Sequence, residues 1–378
     1  MIYREFKGLK ISQLAFGTMR LPVINGDGDN IDQDAVEKMV KLAFDGGVNY
    51  FDTAWGYHNG KSEVAIGKAL RKYDRNSYFI ADKFPGYDLA NINKVEEIFD
   101  QQLERTGLDY FDFYHIHNVH ELNIEHYLDP KYRIYDYLTK MKAEGKIKHL
   151  GFSTHARFDT FMRFLDKYGD SMEFCQIQLN YLDYEFQEAK LKIEECNKRN
   201  IPILVMEPLR GGRLSNLSNA ELDKIKKIRP DATPTEIAFR WLQSIPGVLT
   251  ILSGMSNPDQ MADNVKTFQS DKPLTSDEMK VIDDLAKSMI NPKIQPCTSC
   301  RYCASHCPNE IDIPLMISLY NEAMVTGADW RQMMALNAIP KEKWPGACVE
   351  CGSCQSVCPQ SLNIPQIMKD LAKLTGQN

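Results

Sequence analysis

The sequence predicts a barrel of eight parallel strands, each followed by a helix, joined to a small and mostly helical second domain. From about residue 11 to residue 255, short segments rich in β-branched and aromatic residues alternate with helical patterns. Beyond about residue 291 this alternation stops, and two regular runs of cysteine follow. We therefore predict an α/β fold with a (β/α)8 barrel over residues 1–290 and a cysteine-rich domain over residues 291–378.

Eight segments have the composition of buried strands, and eight βα units are the number that closes a barrel. The strands are predicted at 11–18, 50–54, 78–84, 110–117, 147–155, 174–180, 201–208 and 248–255. Helical patterns between and after them include 32–45, 62–73, 93–106, 132–143, 187–198, 258–267 and 276–289. The extended segments around Gly8 predict a short hairpin that plugs the barrel floor.

Eight of the ten cysteines repeat one spacing, C-x2-C-x2-C-x3-C-P. Such a run places three thiolates on one tight loop, and its fourth cysteine typically binds the other cluster. One 4Fe-4S cluster is therefore predicted at Cys297, Cys300, Cys303 and Cys358. The second is predicted at Cys348, Cys351, Cys354 and Cys307.

Zinc is the main alternative for these cysteines, since four thiolates also suit that ion. Zinc motifs usually come as separated C-x2-C pairs, which disfavours it, and disulfides are disfavoured because no signal peptide is evident. The stretches 313–325 and 329–338 between the two runs have helical patterns. A helical ferredoxin-like module therefore fits the C-terminal domain better than a compact β-rich one.

Composition is ordinary for a globular protein, with 43% hydrophobic and 25% charged residues and a formal net charge of −6. No long basic run is present, so nucleic acid is not an expected partner. The apolar runs are shorter than the roughly 18 residues that a membrane span needs. We expect a cytoplasmic protein without a membrane partner.

In a barrel of this kind, reactive residues lie at the C-terminal ends of the strands. The predicted ends of strands two, three and four carry Asp52, Lys83 and His117, and Tyr57 follows strand two. A phenol with a pKa of about 10 donates a proton poorly until its phenolate is stabilised. Lys83 would stabilise it, and Asp52 would hold Lys83. The set suits hydride addition to a carbonyl.

Each of these residues also has a structural interpretation. Asp52 could cap a helix, Lys83 could form a strand-end ion pair, and Tyr57 could be part of the core. His115 and His120 compete with His117 for the role of the histidine.

Residues 1–290 resemble the aldo-keto reductase family. The motifs that carry the likeness are Phe16-Gly-Thr18, Phe51-Asp-Thr-Ala-Trp-Gly-Tyr57, Ser62-Glu63, Lys83, Phe113-Tyr-His-Ile-His117, Gly151-Phe-Ser153, Gln176 and Pro208. The resemblance implies a catalytic tetrad of Asp52, Tyr57, Lys83 and His117. It favours His117 over His115 because residues 112–117 reproduce the family pattern Asp-x-Tyr-x-Ile-His. It also implies that a nicotinamide passes its hydride directly to the carbonyl while Tyr57 protonates the oxygen.

The resemblance extends unevenly to the cofactor contacts. It implies that Ser153 and Gln176 bind the nicotinamide carboxamide and that Met206 stands where an aromatic residue commonly stacks. It assigns Pro208, Leu209, Gly211 and Gly212 to the loop over the pyrophosphate, and Gly254, Gln260 and Asn264 to the adenosine end. Many members carry Lys and Arg where this chain has Gly254 and Gln260. A 2′-phosphate needs charged partners, so we expect a slight preference for NADH over NADPH.

The C-terminal residues resemble the di-cluster modules that are fused to one branch of this family. Hydride transfer moves two electrons together, whereas an iron–sulfur cluster moves one at a time. The clusters could be structural, could exchange electrons through a flavin that no residue specifically indicates, or could serve a ferredoxin-like partner. The leading hypothesis is a reductase of a small carbonyl, or a dehydrogenase of the alcohol. The alternative is an electron-transfer protein that uses the barrel as a scaffold.

Overall fold

The computed structural model describes residues 1–27, 30–120, 123–186, 188–289, 294–297, 303–326, 330–358 and 360–377. The chain forms two compact units, Met1–Lys287 and Ser288–Asn378. The boundary predicted after residue 290 falls outside the described residues. No helix among the described residues combines the length and the apolar character needed to cross a membrane.

The chain begins with the antiparallel hairpin of β1 (Tyr3–Phe6) and β2 (Leu9–Ser12). Its turn places Lys7 and Gly8 at positive φ, 48° and 83°, a conformation that glycine adopts readily. Phe6 and Ile11 pack into the apolar cluster that also contains Phe113. The predicted floor plug is therefore confirmed.

Eight parallel strands follow and close a barrel in which β10 pairs with both β9 and β3. They are β3 (Leu14–Gly17), β4 (Tyr50–Asp52), β5 (Phe79–Phe84), β6 (Phe111–Val119), β7 (Ile147–Thr154), β8 (Cys175–Gln178), β9 (Ile203–Met206) and β10 (Val248–Ser253). The predicted (β/α)8 fold is confirmed. The predicted first strand was wrong in its bounds, because 11–18 covers the end of β2 and all of β3. The chain leaves the hairpin ladder at Ser12, whose hydroxyl donates to the Leu14 carbonyl at 2.7 Å.

Helices surround the barrel. They are α1 (Gln33–Asp45), α2 (Lys61–Leu70), α3 (Val95–Thr106), α4 (Ile124–Leu128), α5 (Ile134–Ala143), α6 (Phe158–Tyr168), α7 (Asp183–Phe186), α8 (Ala189–Lys198), α9 (Asn219–Ile228), α10 (Pro234–Gln243), α11 (Pro258–Thr267) and α12 (Ser276–Met289). The predicted helical stretches correspond to α1, α2, α3, α5, α8, α11 and α12. Helices α4, α6, α7, α9 and α10 are not among the predicted segments.

The strand β6 shows how the barrel core leads to its mouth. Side chains two residues apart share one face of a strand, so Phe113, His115 and His117 succeed each other along the barrel interior. Phe113 packs against the ring of Tyr50 at 4.9 Å near the floor. His115 packs against Phe174 at 4.8 Å in the next layer. His117 follows towards the C-terminal end of the strand.

The second unit is mostly helical, as predicted. Its helices are α13 (Ile313–Thr326), α14 (Trp330–Asn337), α15 (Ser353–Ser356) and α16 (Ile364–Leu374). Met316, Leu336 and Leu371 are completely buried in its own apolar core. This core is formed independently of the barrel core, because its members all come from residues after 296.

Candidate functional site

Asp52, Tyr57, Lys83 and His117 lie at the C-terminal mouth of the barrel. Asp52 ends β4, and Lys83 is the second-last residue of β5. His117 is near the end of β6, and Tyr57 is in the loop after β4. The Lys83 ammonium donates to Asp52 Oδ1 at 2.5 Å and to the Thr53 carbonyl at 2.7 Å. It also lies 5.1 Å from the centre of the Tyr57 ring. The structure therefore brings an acid, an ammonium and a phenol into direct contact.

Burial and the neighbouring charges shift the pKa values of Lys83 and Tyr57 in opposite directions. Burial favours the neutral amine of Lys83, but Asp52 and Tyr57 outweigh it and raise the Lys83 pKa. Burial raises the pKa of Tyr57, while the Lys83 ammonium works in the other direction through its charge and a hydrogen bond. The phenol is therefore protonated at neutral pH and can donate its proton. The Lys83 ammonium is close enough to stabilise the resulting phenolate.

His117 is the histidine that faces the mouth. It remains partly accessible to solvent, and among the described residues its Nδ1 has no hydrogen-bond partner. Protein nevertheless surrounds its ring closely enough that burial, reinforced by Lys83, lowers its pKa well below the usual range. A neutral imidazole at this place can donate a hydrogen bond to a carbonyl oxygen.

The two competing histidines lie elsewhere. His115 is fully buried in the barrel, with Nδ1 3.3 Å from the Asp82 carbonyl. His120 is also buried, and its backbone N–H donates to Asn123 Oδ1 at 2.9 Å. Burial lowers the pKa of His120 to about 4. Neither ring is as accessible to a substrate as that of His117.

Tyr87 is a second phenol at the mouth that the sequence analysis missed. Its ring meets His117 edge-on, with 5.1 Å between ring centres. Burial raises the pKa of Tyr87 to about 12, and the neighbouring Tyr57 adds to this effect. A side chain at Gly56 would begin 2.6 Å from the Tyr87 hydroxyl. The available signal was its place in the loop directly after the strand that carries Lys83.

The two residues assigned to the nicotinamide carboxamide are neighbours. Ser153 of β7 pairs in register with Gln176 of β8, and both are almost fully buried. The backbone N–H of Asn118 donates to Ser153 Oγ at 2.8 Å. The Gln176 amide lies against the His115 ring, yet within the described parts of the chain its Oε1 makes no well-formed hydrogen bond. A buried amide oxygen of this kind normally has a donor, so the pair fits a carboxamide.

The residues predicted to hold the pyrophosphate lie in the loop after β9. Met206 ends β9 and is partly exposed, while Pro208 is buried and Leu209 is half-buried. Gly211 and Gly212 have φ values of 64° and 95°. A Cβ at Gly212 would meet no described atom within 4 Å. The backbone is thus open to close approach by a phosphate group.

Arg20 is a second residue that the sequence analysis missed. Its Nη2 lies 3.6 Å from the Cβ position of Gly211, and its side-chain stem lies 3.8 Å from that of Gly254. Nη2 is also 3.2 Å from Glu207 Oε1. Arg20 therefore lies between the loop assigned to the pyrophosphate and the loop assigned to the adenosine end, with its guanidinium beside Gly211. A basic residue just after the first barrel strand was the signal.

At the adenosine end, two predicted contact residues also have internal partners. Gln260 lies in the first turn of α11, and its Oε1 accepts from the backbone N–H of Ser256 at 2.8 Å. Asn264 is buried, and its Nδ2 donates to Ser253 Oγ at 3.0 Å. These bonds hold the start of α11 beside the end of β10.

Four cysteines of the second unit line one cavity, namely Cys307, Cys348, Cys351 and Cys354. They are close enough to influence each other electrostatically. Burial raises the pKa of Cys354 to about 11, and Cys348, Cys307 and Cys351 add to the effect. This is the set predicted for the second cluster. Four sulfurs around a cavity, backed by an apolar core, fit a 4Fe-4S cluster.

Zinc is the alternative metal for these cysteines. Across the described ranges, no three His, Cys, Asp or Glu side chains are grouped as ligands of a single metal ion. A zinc site would need four ligand atoms within about 2.3 Å of one point.

The other set is only partly described. Cys303 is buried, and Cys297 and Cys358 pack against the same apolar core. Cys300 lies outside the described residues. The assignment of these four residues to one cluster stays a prediction.

Comparison with known proteins agrees with both halves of this description. The profile of the Aldo/keto reductase family matches residues 13–287, and that of the 4Fe-4S dicluster domain matches residues 296–364. An aldo-keto reductase of Mycolicibacterium vanbaalenii is 30% identical, over 70% of this chain and 88% of that protein. The NADH-specific methylglyoxal reductase of Escherichia coli is 24% identical, over 68% of this chain and 90% of that protein.

A solved structure shows the same barrel. The holo form of an aldo-keto reductase from Bacillus halodurans superposes with a TM-score of 0.61 and is 25% identical. The match covers 76% of this chain and 97% of that one. The remaining C-terminal part carries the dicluster domain. The chain belongs to the aldo/keto reductase family, with a 4Fe-4S dicluster domain fused after the barrel.

Proposed function

We propose that this chain reduces a small aldehyde or ketone with a nicotinamide cofactor, or oxidises the alcohol in reverse. The barrel, residues 1–290, is the catalytic domain in this proposal, and residues 291–378 carry two 4Fe-4S clusters. The observation that carries the proposal is the buried Lys83–Asp52 pair in contact with Tyr57. A phenol that donates its proton to a carbonyl oxygen needs a fixed ammonium beside it to stabilise the phenolate.

Each residue of the tetrad has one task. Tyr57 gives its proton to the carbonyl oxygen, and Lys83 stabilises the phenolate that remains. Asp52 keeps Lys83 charged and in place through the 2.5 Å contact. Neutral His117 orients the carbonyl oxygen by a hydrogen bond.

A reduced nicotinamide bound at this mouth would supply the hydride, so that carbonyl, NAD(P)H and one proton give alcohol and NAD(P)+. Ser153 and Gln176 would orient its carboxamide, and Met206 would pack against the ring. The loop of Gly211 and Gly212 would hold the pyrophosphate, with Arg20 beside it. We propose a slight preference for NADH because Gly254 and Gln260 offer no charge to a 2′-phosphate. The NADH-specific relative from Escherichia coli supports this preference.

The dicluster domain has a separate task in this proposal. A bound 4Fe-4S cluster would accept or give one electron at a time. Cys351 is exposed, which supports exchange with a ferredoxin-like partner at the set of Cys307, Cys348, Cys351 and Cys354. The barrel chemistry described above does not depend on that exchange.

The test is turnover of an aldehyde panel under anaerobic conditions by wild type and Tyr57→Phe. Loss of the proton donor is expected to lower kcat by roughly 10²–10⁴-fold while nucleotide affinity is kept. Tyr135→Phe is a matched control, because the Tyr135 hydroxyl in α5 donates to Ser171 Oγ, just after α6 on the outside of the barrel. A fully active Tyr57→Phe enzyme would refute the assignment.

A further inference from the structure

Two buried carboxyl groups lie directly behind Lys83. Asp82 precedes Lys83 in β5, Glu63 lies in α2, and both are 0% exposed. The side-chain amide nitrogen of Gln102 in α3 bridges them, at 2.8 Å from Asp82 Oδ1 and 3.1 Å from Glu63 Oε1. One nitrogen within hydrogen-bond distance of both groups means that the two carboxyls are close neighbours.

One carboxyl oxygen of this pair lacks a hydrogen-bond donor among the described residues. Asp82 Oδ1 accepts from the Lys83 backbone N–H at 2.8 Å, and Glu63 Oε2 accepts from Arg105 Nη1 at 2.8 Å. Asp82 Oδ2 is buried and receives no hydrogen bond from any described residue. A buried carboxylate oxygen without a donor is costly, and two adjacent carboxylates disfavour double ionisation. A single proton on Asp82 Oδ2 removes both problems.

We propose that Asp82 is a neutral carboxylic acid that shares its proton with Glu63, and that this pair is a positioning element for Lys83 and for the loop of Tyr57. The inference rests on the proposed function for its catalytic consequence. The state of the proton itself does not depend on that function.

The charges of the site balance in this arrangement. With Asp82 neutral, the carboxylates of Glu63 and Asp52 face the cations of Arg105 and Lys83. Burial raises the pKa of Asp82 well above its usual range, and the Glu63 charge adds to this. Burial also raises the pKa of Glu63, but there Arg105 and Gln102 counteract it. Glu63 is thus the member of the pair that keeps the charge.

The hydrogen bonds of Asp82, Glu63 and Gln102 extend to the backbone of Lys83 and, through Arg105, to the loop of Tyr57. The Lys83 N–H donates to Asp82, and the Lys83 carbonyl accepts from Gln102 Nε2 at 3.0 Å. The Tyr114 hydroxyl donates to Gln102 Oε1 at 2.5 Å, which fixes the orientation of that amide. Arg105, held by Glu63, lies 3.6 Å above the ring of Trp55, two residues before Tyr57. The pair therefore anchors the Lys83 backbone and the tyrosine loop together.

Infrared difference spectroscopy of the full chain near neutral pH tests the proton directly. Asp82→Asn is expected to remove the carbonyl band of a protonated carboxylic acid. Glu173→Gln is the control, because Lys7, Lys142 and His149 hold Glu173 ionised and its loss removes only carboxylate bands. If wild type has no protonated-acid band that Asp82→Asn removes, the proposal is wrong.

Matched neutral substitutions test the positioning role. Asparagine is a neutral isostere of protonated Asp82, whereas Glu63→Gln removes the charge that holds Arg105. We expect Glu63→Gln to lower the melting temperature by several degrees and kcat about tenfold or more, since small misplacements at a site are costly. Asp82→Asn is expected to cost clearly less in both. Equal or greater loss in Asp82→Asn would overturn the proposal. If the protein reduces no carbonyl at all, the infrared and melting results still decide whether Asp82 carries the proton. Failure of the proposed function is therefore distinguishable from failure of this inference.

Discussion

In our proposal the hydroxyl of Tyr57 is the proton donor, and two opposing influences set its pKa. Burial and the Asp52 charge raise the pKa of Tyr57, and the Lys83 ammonium lowers it. A donor that is protonated before the reaction and stabilised afterwards as its phenolate is suited to carbonyl reduction. This balance suggests that charge changes next to Tyr57 will appear in the pH dependence of turnover.

Asp52→Asn is expected to move the basic limb of the kcat profile to lower pH. The Asp52 charge raises the pKa of Tyr57, so its removal lowers that pKa. Tyr57 must be protonated to act as the acid, and activity is therefore lost as pH rises through its pKa. The profile of kcat against pH for both enzymes measures the shift. Asp112→Asn is the control, since Asp112 pairs with Arg75 at the side of the barrel. A shift to higher pH would contradict this account.

Gln260→Arg is expected to favour NADPH. Gln260 lies in the first turn of α11, at the helix end that attracts anions. A charge-assisted hydrogen bond contributes about 1.5–3 kcal/mol, so NADPH affinity should rise roughly tenfold relative to NADH. Dissociation constants of both nucleotides measure this, and Gln260→Met controls for the lost bond to Ser256. An unchanged affinity ratio would show that the 2′-phosphate lies elsewhere.

At the scale of elements, the two ends of the barrel have different tasks. In our proposal the chemistry takes place at the mouth, and the N-terminal hairpin closes the floor. Phe6 is 4% exposed, with its ring 5.5 Å from Phe113 and 4.9 Å from His149. The floor of such a barrel contributes to stability rather than to the reaction.

Phe6→Ala is accordingly expected to lower the free energy of unfolding by about 3–5 kcal/mol, because a buried ring leaves a cavity. The folded fraction should keep its kcat. Denaturant unfolding and active-site titration measure the two quantities. Glu5→Ala on the exposed side of the same strand should change neither. A large fall in kcat of the folded enzyme would show that the floor reaches the site.

The order and type of the barrel strands could be predicted because buried parallel strands leave short apolar segments between helical patterns. The bounds of the strands could not be predicted. Strands such as β4 (Tyr50–Asp52) are only three residues long and end where the backbone leaves the hydrogen-bond ladder of the sheet. Asp52, Lys83 and His117 could be found because each stands near a predicted strand end. Tyr87 and Arg20 also follow predicted strand ends, but they were missed because the loops that carry them take their course from packing and from ion pairs such as Arg20 with Glu207.

At the scale of the whole molecule, the chain joins a barrel and a dicluster domain, each with its own core. Two 4Fe-4S clusters predict about eight irons and as many sulfides per chain after anaerobic purification. Cys354→Ala should lower the iron content to about half, because Cys354 lines the cavity of one set. Cys196→Ala is the control, since that thiol is buried in α8. Iron content unchanged in Cys354→Ala would contradict the ligand assignment.

The central claim is that two electrons reach the substrate together, as a hydride, inside a chain that also carries one-electron centres. Labelled cofactor tests it most directly. Reduction of an aldehyde with nicotinamide deuterated at the transferring position, in ordinary water, is expected to place the deuterium on the alcohol carbon. Protium at that carbon, with the label lost to solvent, would show that the hydride does not pass directly from nicotinamide to the carbonyl and would contradict the account.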